Sequence, residues 1–78
     1  MVGIGQVGVG YWGWNLLRNF NRLQNASVVG VCDRNPEVLE RVRTQYPDIS
    51  VSESYERLLE KPALDAVSFE YSAHAFAQ

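Results

Sequence analysis

The chain has 78 residues, of which 46% are hydrophobic and 21% are charged, a composition typical of a small globular domain and not of a disordered chain. Its formal net charge of −2 predicts no basic surface for nucleic acid or for an acidic membrane. The sequence shows no signal peptide and no apolar run near the roughly 20 residues that span a bilayer. Cys32, the single cysteine, excludes an internal disulfide and favours a reducing, cytoplasmic setting.

The first half of the chain predicts a strand, a helix and a second strand. Residues 1–7 form the first predicted strand, although Gln6 and the neighbouring glycines weaken the prediction. Residues 12–24 predict a helix, and residues 27–32 form a β-branched run typical of a strand that is buried on both faces. The apolar stripe of the helix consists of Leu16, Leu17, Phe20 and Leu23.

The second half predicts two further helices, each followed by a strand. Asn35 and Pro36 are typical of a helix start, and Pro47 stops that helix after Tyr46. Residues 49–51 predict a short strand, and residues 64–69 a fourth one. The third helix lies between them, with Ser52 or Ser54 as its cap and with Tyr55, Leu58 and Leu59 as its expected buried side.

The order β-α-β-α-β-α-β predicts an α/β fold with a doubly wound parallel sheet and right-handed crossovers. A doubly wound domain normally continues beyond a fourth strand. We therefore expect residues 1–78 to form a truncated Rossmann-type domain without a C-terminal substrate domain. The sheet surface that such a truncation leaves uncovered favours self-association.

Residues 8–13 form a G-x-G-x-x-G motif between the first strand and the first helix. Gly8 is predicted to make the tight turn, Gly10 to let a pyrophosphate approach the backbone, and Gly13 to allow close packing of the helix. The start of the helix would offer N–H groups to the phosphates, with the Trp12 amide as a candidate donor. A second frame that begins at Gly3 leaves no room for a preceding strand, and no Gly-Lys-Ser/Thr indicates a P-loop.

Asp33 gives the glycine motif its specificity, because it follows the second strand at the spacing of an acidic ribose ligand. A carboxylate there accepts hydrogen bonds from the ribose hydroxyls and repels a 2′-phosphate, which favours NAD. Arg34 keeps NADP open, because an arginine at this corner can pair with that phosphate. A methyltransferase that binds S-adenosylmethionine is a further alternative, but the third glycine favours a dinucleotide.

No catalytic residue and no metal site is predicted. His74, the only histidine, has no carboxylate or cysteine at a helpful spacing and is interpreted as a surface residue. Glu70 is interpreted as a solvated carboxylate. Cys32 lies within a predicted buried strand and is interpreted as an inert core thiol.

The chain resembles the Gfo/Idh/MocA oxidoreductases up to Val67. The resemblance rests on the run VGVGYWGWNLLRN over residues 7–19, on VCDRNP over residues 31–36, and on residues 46–47, 55–59 and 64–67. It implies an N-terminal Rossmann domain for NAD or NADP, a C-terminal domain for a sugar or cyclitol, and hydride transfer between them. By carry-over it places Asp33 and Arg34 at the adenosine ribose. The residues that it places around the pyrophosphate are Gly8, Gly10, Tyr11, Trp12 and Gly13.

The resemblance weakens after the fourth strand, where the family has a Thr-Pro or Asn-Pro segment and a histidine. The family's Glu-Lys-Pro motif and its later catalytic residues have no counterpart in the 78 residues. We therefore expect cofactor binding without turnover by this chain alone. A non-catalytic dinucleotide-binding module and a non-functional remnant remain the alternatives.

Overall fold

Strands and helices alternate in the computed structural model, which describes residues 1–69. The elements are β1 (Val2–Val7), α1 (Tyr11–Arg22), β2 (Ala26–Cys32), α2 (Pro36–Gln45), β3 (Ser50–Ser52), α3 (Tyr55–Leu59) and β4 (Ala66–Phe69). The strands pair in parallel in the order β3-β2-β1-β4. The α/β class and the element order predicted from the sequence are confirmed.

The direction of the crossovers changes at β1. From β1 the chain passes to β2 and then to β3 on one side, and it returns over the sheet to place β4 on the other side of β1. Right-handed crossovers therefore set α1 and α2 on one face of the sheet and α3 on the opposite face. The sheet is doubly wound, and the strand order reverses between β1 and β4. In such sheets a ligand crevice opens at the carboxyl ends of the strands next to this reversal.

The main core lies between the sheet and the helices α1 and α2. Its buried members are Val9, Leu17, Val28, Val31, Leu39, Val42 and Ile49. The start of α2 is as predicted, with Pro36 in its first turn and the Asn35 side chain accepting a hydrogen bond from the Glu37 N–H at 2.9 Å. Within residues 1–69, no helix has both the length and the apolar character that crossing a membrane requires.

Three residues of α3 were predicted to be buried, and the prediction is wrong for two of them. Leu58 is buried, whereas Tyr55 is 37% exposed and Leu59 is 49% exposed. The reason is the length of α3, because a helix of five residues presents little more than one residue to the sheet. Leu58 fills that place, and its methyl groups lie over the sheet glycines Gly5 and Gly30.

The predicted apolar stripe of α1 is also shorter than expected. Leu17 is fully buried and Phe20 packs against the core, but Leu23 is 52% exposed. The helix ends at Arg22, and Leu23 follows it in an extended conformation. Leu23 has therefore left the helical period on which the prediction of its burial depended.

Candidate functional site

The turn from β1 into α1 has the backbone that its three glycines predict. Gly8 has a φ of 90°, which lies in the left-handed region where a side chain is strained. A Cβ at Gly10 would meet no atom of the described residues within 4 Å, so the backbone there is open to close approach from outside. At Gly13 a Cβ would lie 2.9 Å from the Gly8 carbonyl oxygen, so this contact requires the absence of a side chain.

The first two amides of the turn are used inside the protein. The Gly8 N–H donates to the Cys32 carbonyl oxygen at 2.8 Å, and the Val9 N–H donates to the Asp33 Oδ2 atom at 2.9 Å. These two bonds attach the turn to the carboxyl end of β2. The amides that follow, from Gly10 into the first turn of α1, take no part in these two bonds.

The N-terminus of α1 has the features of an anion site. Its cap residue is Gly10, which has no side chain that could cap the helix, and its first turn contains no acidic residue. The α-helical hydrogen bonds begin with the one from the Trp14 N–H to the Gly10 carbonyl oxygen, at 3.3 Å. The positive end of the helix dipole and the lack of an acidic residue in the first turn together favour a negatively charged group at this point.

Asp33 lies beside this turn, as its position after β2 predicts. Its Oδ1 atom accepts a hydrogen bond from the Asn35 N–H at 2.8 Å, and its Oδ2 atom accepts the bond from Val9. Its own N–H donates to the Ser52 carbonyl oxygen at 3.2 Å. The carboxylate is therefore fixed in position, and each oxygen keeps a lone pair for a further donor.

Arg34 follows Asp33 at the surface, next to the start of α2. It is exposed, and it forms no ion pair with the residues that the structure describes. Its guanidinium can therefore turn toward a group bound at the carboxyl end of β2. His74 and Glu70, which were considered as functional candidates, lie outside the described residues.

Gln6 is a component of the site that the sequence analysis did not identify. The prediction treated it as a weakness of β1, but its side chain is completely buried. Its Nε2 atom donates to the Gly8 carbonyl oxygen at 3.0 Å and to the Gly13 carbonyl oxygen at 2.8 Å. The available signal was its position, because a glutamine two residues after Ile4 lies on the same face of the strand and two residues before the glycine motif.

The two tryptophans that flank Gly13 differ in their surroundings. Trp12 is 63% exposed, whereas Trp14 is partly buried and packs against the core.

Cys32 is a buried free thiol. Burial raises the pKa of this thiol above its ordinary value, and the carboxylates of Asp33 and Glu56 raise the pKa further. The thiol therefore stays neutral at pH 7, which agrees with the prediction of an inert core cysteine.

The geometry fits one end of a dinucleotide. The turn provides an uncapped helix start and an open approach at Gly10, which suit a pyrophosphate, and Asp33 provides fixed acceptors that suit a pair of ribose hydroxyls. The Val9–Asp33 hydrogen bond joins the turn to the Asp33 carboxylate, so the two parts of the site are adjacent. One ligand can therefore contact both.

Comparison with known proteins gives the same assignment. A family model described as the Gfo/Idh/MocA oxidoreductase family with an NAD-binding Rossmann fold matches residues 2–74. A search of curated protein sequences found no match.

Three solved structures illustrate the likeness of the fold. One is a myo-inositol dehydrogenase from Lactobacillus casei in complex with NAD(H) and myo-inositol, with 28% identity, a TM-score of 0.80, and coverage of 90% of this chain and 21% of that one. An NAD-binding protein from Listeria innocua has 27% identity, a TM-score of 0.78, and coverage of 90% and 20%. A 3-ketoreductase variant from Actinomadura kijaniata, in complex with TDP-benzene and NADP, has 23% identity, a TM-score of 0.77, and coverage of 92% and 23%. The present chain thus spans about a fifth of the length of each.

Proposed function

The chain belongs to the Gfo/Idh/MocA oxidoreductase family and forms its NAD-binding Rossmann domain, and from this membership we propose which residues hold the cofactor. The pyrophosphate lies at the N-terminus of α1, on the backbone of Gly10 and of the first helical residues Tyr11, Trp12 and Gly13. Gly8 shapes the turn that presents these amides. The observation that supports this proposal most strongly is the helix start that has neither a cap nor an acid and lies beside an open Gly10.

We propose that Asp33 binds the hydroxyls of the adenosine ribose and that the site prefers NAD to NADP. Two backbone N–H groups hold the carboxylate, so it cannot turn away from a 2′-phosphate without losing hydrogen bonds. Arg34 is exposed beside it and offsets part of this repulsion. The preference for NAD is therefore expected to be moderate, and it depends on the negative charge of Asp33.

The experiment is a titration with NADH and with NADPH that follows the fluorescence of Trp12 and Trp14. We expect saturable quenching by NADH and weaker binding of NADPH. Gly10→Val should weaken NADH binding by about a hundredfold, or roughly 2.7 kcal/mol, because a side chain there occupies the approach to the backbone. Asp33→Asn should reduce the preference for NADH, since it removes the charge and keeps one acceptor oxygen.

Arg43→Ala is the matched control for these variants. Arg43 forms an exposed ion pair with Glu40 at 3.3 Å on α2, and such pairs contribute little to stability. Its binding of NADH should equal that of the wild type. The assignment of the site fails if Gly10→Val binds NADH as tightly as Arg43→Ala does.

We propose that the whole protein in which this domain acts transfers hydride between a nicotinamide and a carbinol carbon of a sugar or cyclitol. The Lactobacillus casei structure named above is a myo-inositol dehydrogenase in complex with NAD(H) and myo-inositol, which is a cyclitol. The nicotinamide supplies the hydride chemistry when the cofactor is bound. These 78 residues supply binding, and the described part contains no histidine to act as acid or base. Formation of NADH from NAD and myo-inositol by this chain alone would contradict the division of roles.

We also propose a cytoplasmic location and an absence of nucleic-acid binding, on the basis of the free buried Cys32 and the net charge of −2.

The described sheet ends at β3 and β4, which pair on one side only among residues 1–69. Such edges favour self-association. Light scattering over a range of protein concentrations tests this point, and a monomer at all concentrations would contradict it.

A further inference from the structure

Gln6 is poorly explained by the needs of the fold alone. It is completely buried in β1, one of the two inner strands of the described sheet. Its Oε1 atom is also buried and accepts no hydrogen bond from the described residues. An apolar side chain of similar shape would fill the same volume and leave no acceptor unpaired, which is normally the more stable choice.

The two hydrogen bonds of the Nε2 atom suggest why a glutamine stands here. One goes to the carbonyl oxygen of Gly8, the first glycine of the turn, at 3.0 Å. The other goes to the carbonyl oxygen of Gly13, in the first turn of α1, at 2.8 Å. The side chain therefore connects both ends of the motif from beneath, and it holds the N-terminus of α1 at a fixed position relative to the turn.

The orientation of the amide follows from its partners. Both neighbours are carbonyl oxygens, so the NH₂ group must face them and the Oε1 atom must point elsewhere. Gly13 has no room to move closer, since a Cβ there would already lie 2.9 Å from the Gly8 oxygen and 3.2 Å from the Gln6 Nε2 atom. Gln6 and Gly13 thus fit each other and fix one geometry for the turn.

We propose that Gln6 is a positioning residue for the cofactor, which aims the amides of the turn and of α1 at the pyrophosphate without touching it. The proposal rests on the cofactor site described under Proposed function. Amides that are already aimed do not have to be ordered when the ligand binds, so binding is stronger than to a loose turn. Loss of Gln6 should weaken ligands that contain the pyrophosphate and leave the adenosine end unaffected.

The test compares wild type with Gln6→Met, which keeps the length and the apolar bulk of the side chain and removes both N–H donors. Affinity for NADH is measured by fluorescence, and affinity for adenosine by NMR titration at millimolar concentration. We expect Gln6→Met to bind NADH about tenfold more weakly and adenosine within about twofold of wild type. Leu58→Ala is the matched control, because Leu58 is buried beneath α3 and does not belong to the core cluster that contains Val9 of the turn. It should lower the melting temperature without changing the affinity of the folded protein for NADH.

Two results would overturn the proposal while leaving the cofactor site intact. One is NADH binding by Gln6→Met at the wild-type affinity. The other is an equal loss of NADH and adenosine affinity, which indicates a general loss of structure. Failure of the wild type to bind NADH would instead overturn the cofactor site itself, and the role of Gln6 with it.

If Gln6→Met does not fold, the wild-type chain decides the question by itself. The side-chain NH₂ resonances of Gln6 should be protected from exchange with solvent, because the side chain is completely buried and its Nε2 atom donates to two carbonyl oxygens. These resonances should shift on saturation with NADH and stay in place on saturation with adenosine. Resonances that NADH leaves unmoved would overturn the proposal.

Discussion

The turn before α1 and the turn before α2 lie next to each other, at the carboxyl ends of β1 and β2, and they begin their helices differently. At α2 the Asn35 side chain accepts a hydrogen bond from the Glu37 N–H, Pro36 has no N–H to satisfy, and Glu37 places a negative charge in the first turn. At α1 a glycine occupies the cap position, so the cap residue has no side chain that could accept a hydrogen bond, and the first turn contains no acid.

The difference indicates where each helix directs its N-terminal amides. In α2 the protein's own side chains satisfy the amides and oppose an anion. In α1 no acid in the first turn opposes an anion, and side chains hold the turn from behind, through Gln6 and through the bond from Val9 to Asp33. Asp33 belongs to both turns, because its two oxygens accept from Val9 and from Asn35. The turn before α2 thus contains the fixed carboxylate of Asp33, which lies beside the turn before α1.

The largest effect is expected at Gly13, where the turn before α1 leaves no space for a side chain. Gly13→Val should lower the free energy of unfolding by about 3 kcal/mol, because its Cβ would collide with the Gly8 carbonyl oxygen and with the Gln6 amide. NADH binding should be lost with it. Thermal or urea unfolding followed by circular dichroism measures the change in stability.

The control for Gly13→Val is Asn19→Val, a β-branched substitution at an exposed position of the same helix. It should change stability by less than about 0.5 kcal/mol. If Gly13→Val were as stable as Asn19→Val, the close contact between α1 and the turn would not be needed.

An intermediate effect is expected when the start of α1 is given a capping side chain like the one at the start of α2. Gly10→Asp gives α1 both a capping side chain and a negative charge, whereas Gly10→Asn gives it the cap alone. Both should raise stability by about 0.5 kcal/mol. The aspartate should bind NADH about tenfold more weakly than the asparagine, because only the charge differs between them.

Ionic strength separates charge from shape in this pair of variants. Screening by salt should reduce the difference in NADH affinity between Gly10→Asp and Gly10→Asn. A difference that is absent at low salt would show that no anion binds at the start of α1.

The smallest effect on binding is expected when the cap of α2 is removed. Asn35→Ala should lower the free energy of unfolding by about 1 kcal/mol, since the Glu37 N–H loses its acceptor. NADH affinity should stay within about twofold of wild type, because the Asn35 N–H that bonds to Asp33 belongs to the backbone and is retained. Unfolding and fluorescence titration on the same samples give both values.

Ser54→Ala provides the comparison for Asn35→Ala. Ser54 caps α3 through its Oγ atom, which accepts from the Arg57 N–H at 3.3 Å, and this cap is not attached to Asp33. It should lower stability and leave NADH binding unchanged. A loss of NADH affinity in Asn35→Ala, but not in Ser54→Ala, would mean that the capped turn supports the ribose site more strongly than proposed.

Local chemistry made much of this protein predictable from its sequence. The glycines of the turn, the Asn35–Pro36 helix start and the β-branched second strand each have a conformational preference of their own, so the element order and the Rossmann class followed from them. The resemblance to the Gfo/Idh/MocA family is confirmed by the match over residues 2–74. Asp33 was placed correctly at the end of β2, because parallel strands bring their carboxyl ends to one edge.

The tertiary structure alone decided which side chains are buried and which groups they meet. The burial of Leu58 instead of Leu59 depends on the glycines of the sheet that lie beneath α3, and these come from distant parts of the chain. The role of Gln6 depends on its bond to the Gly13 carbonyl oxygen, which comes within reach of its side chain only when α1 has packed on the sheet. A residue's own preferences determine its secondary structure in large part, whereas a hydrogen bond to a distant group exists only after the chain has folded.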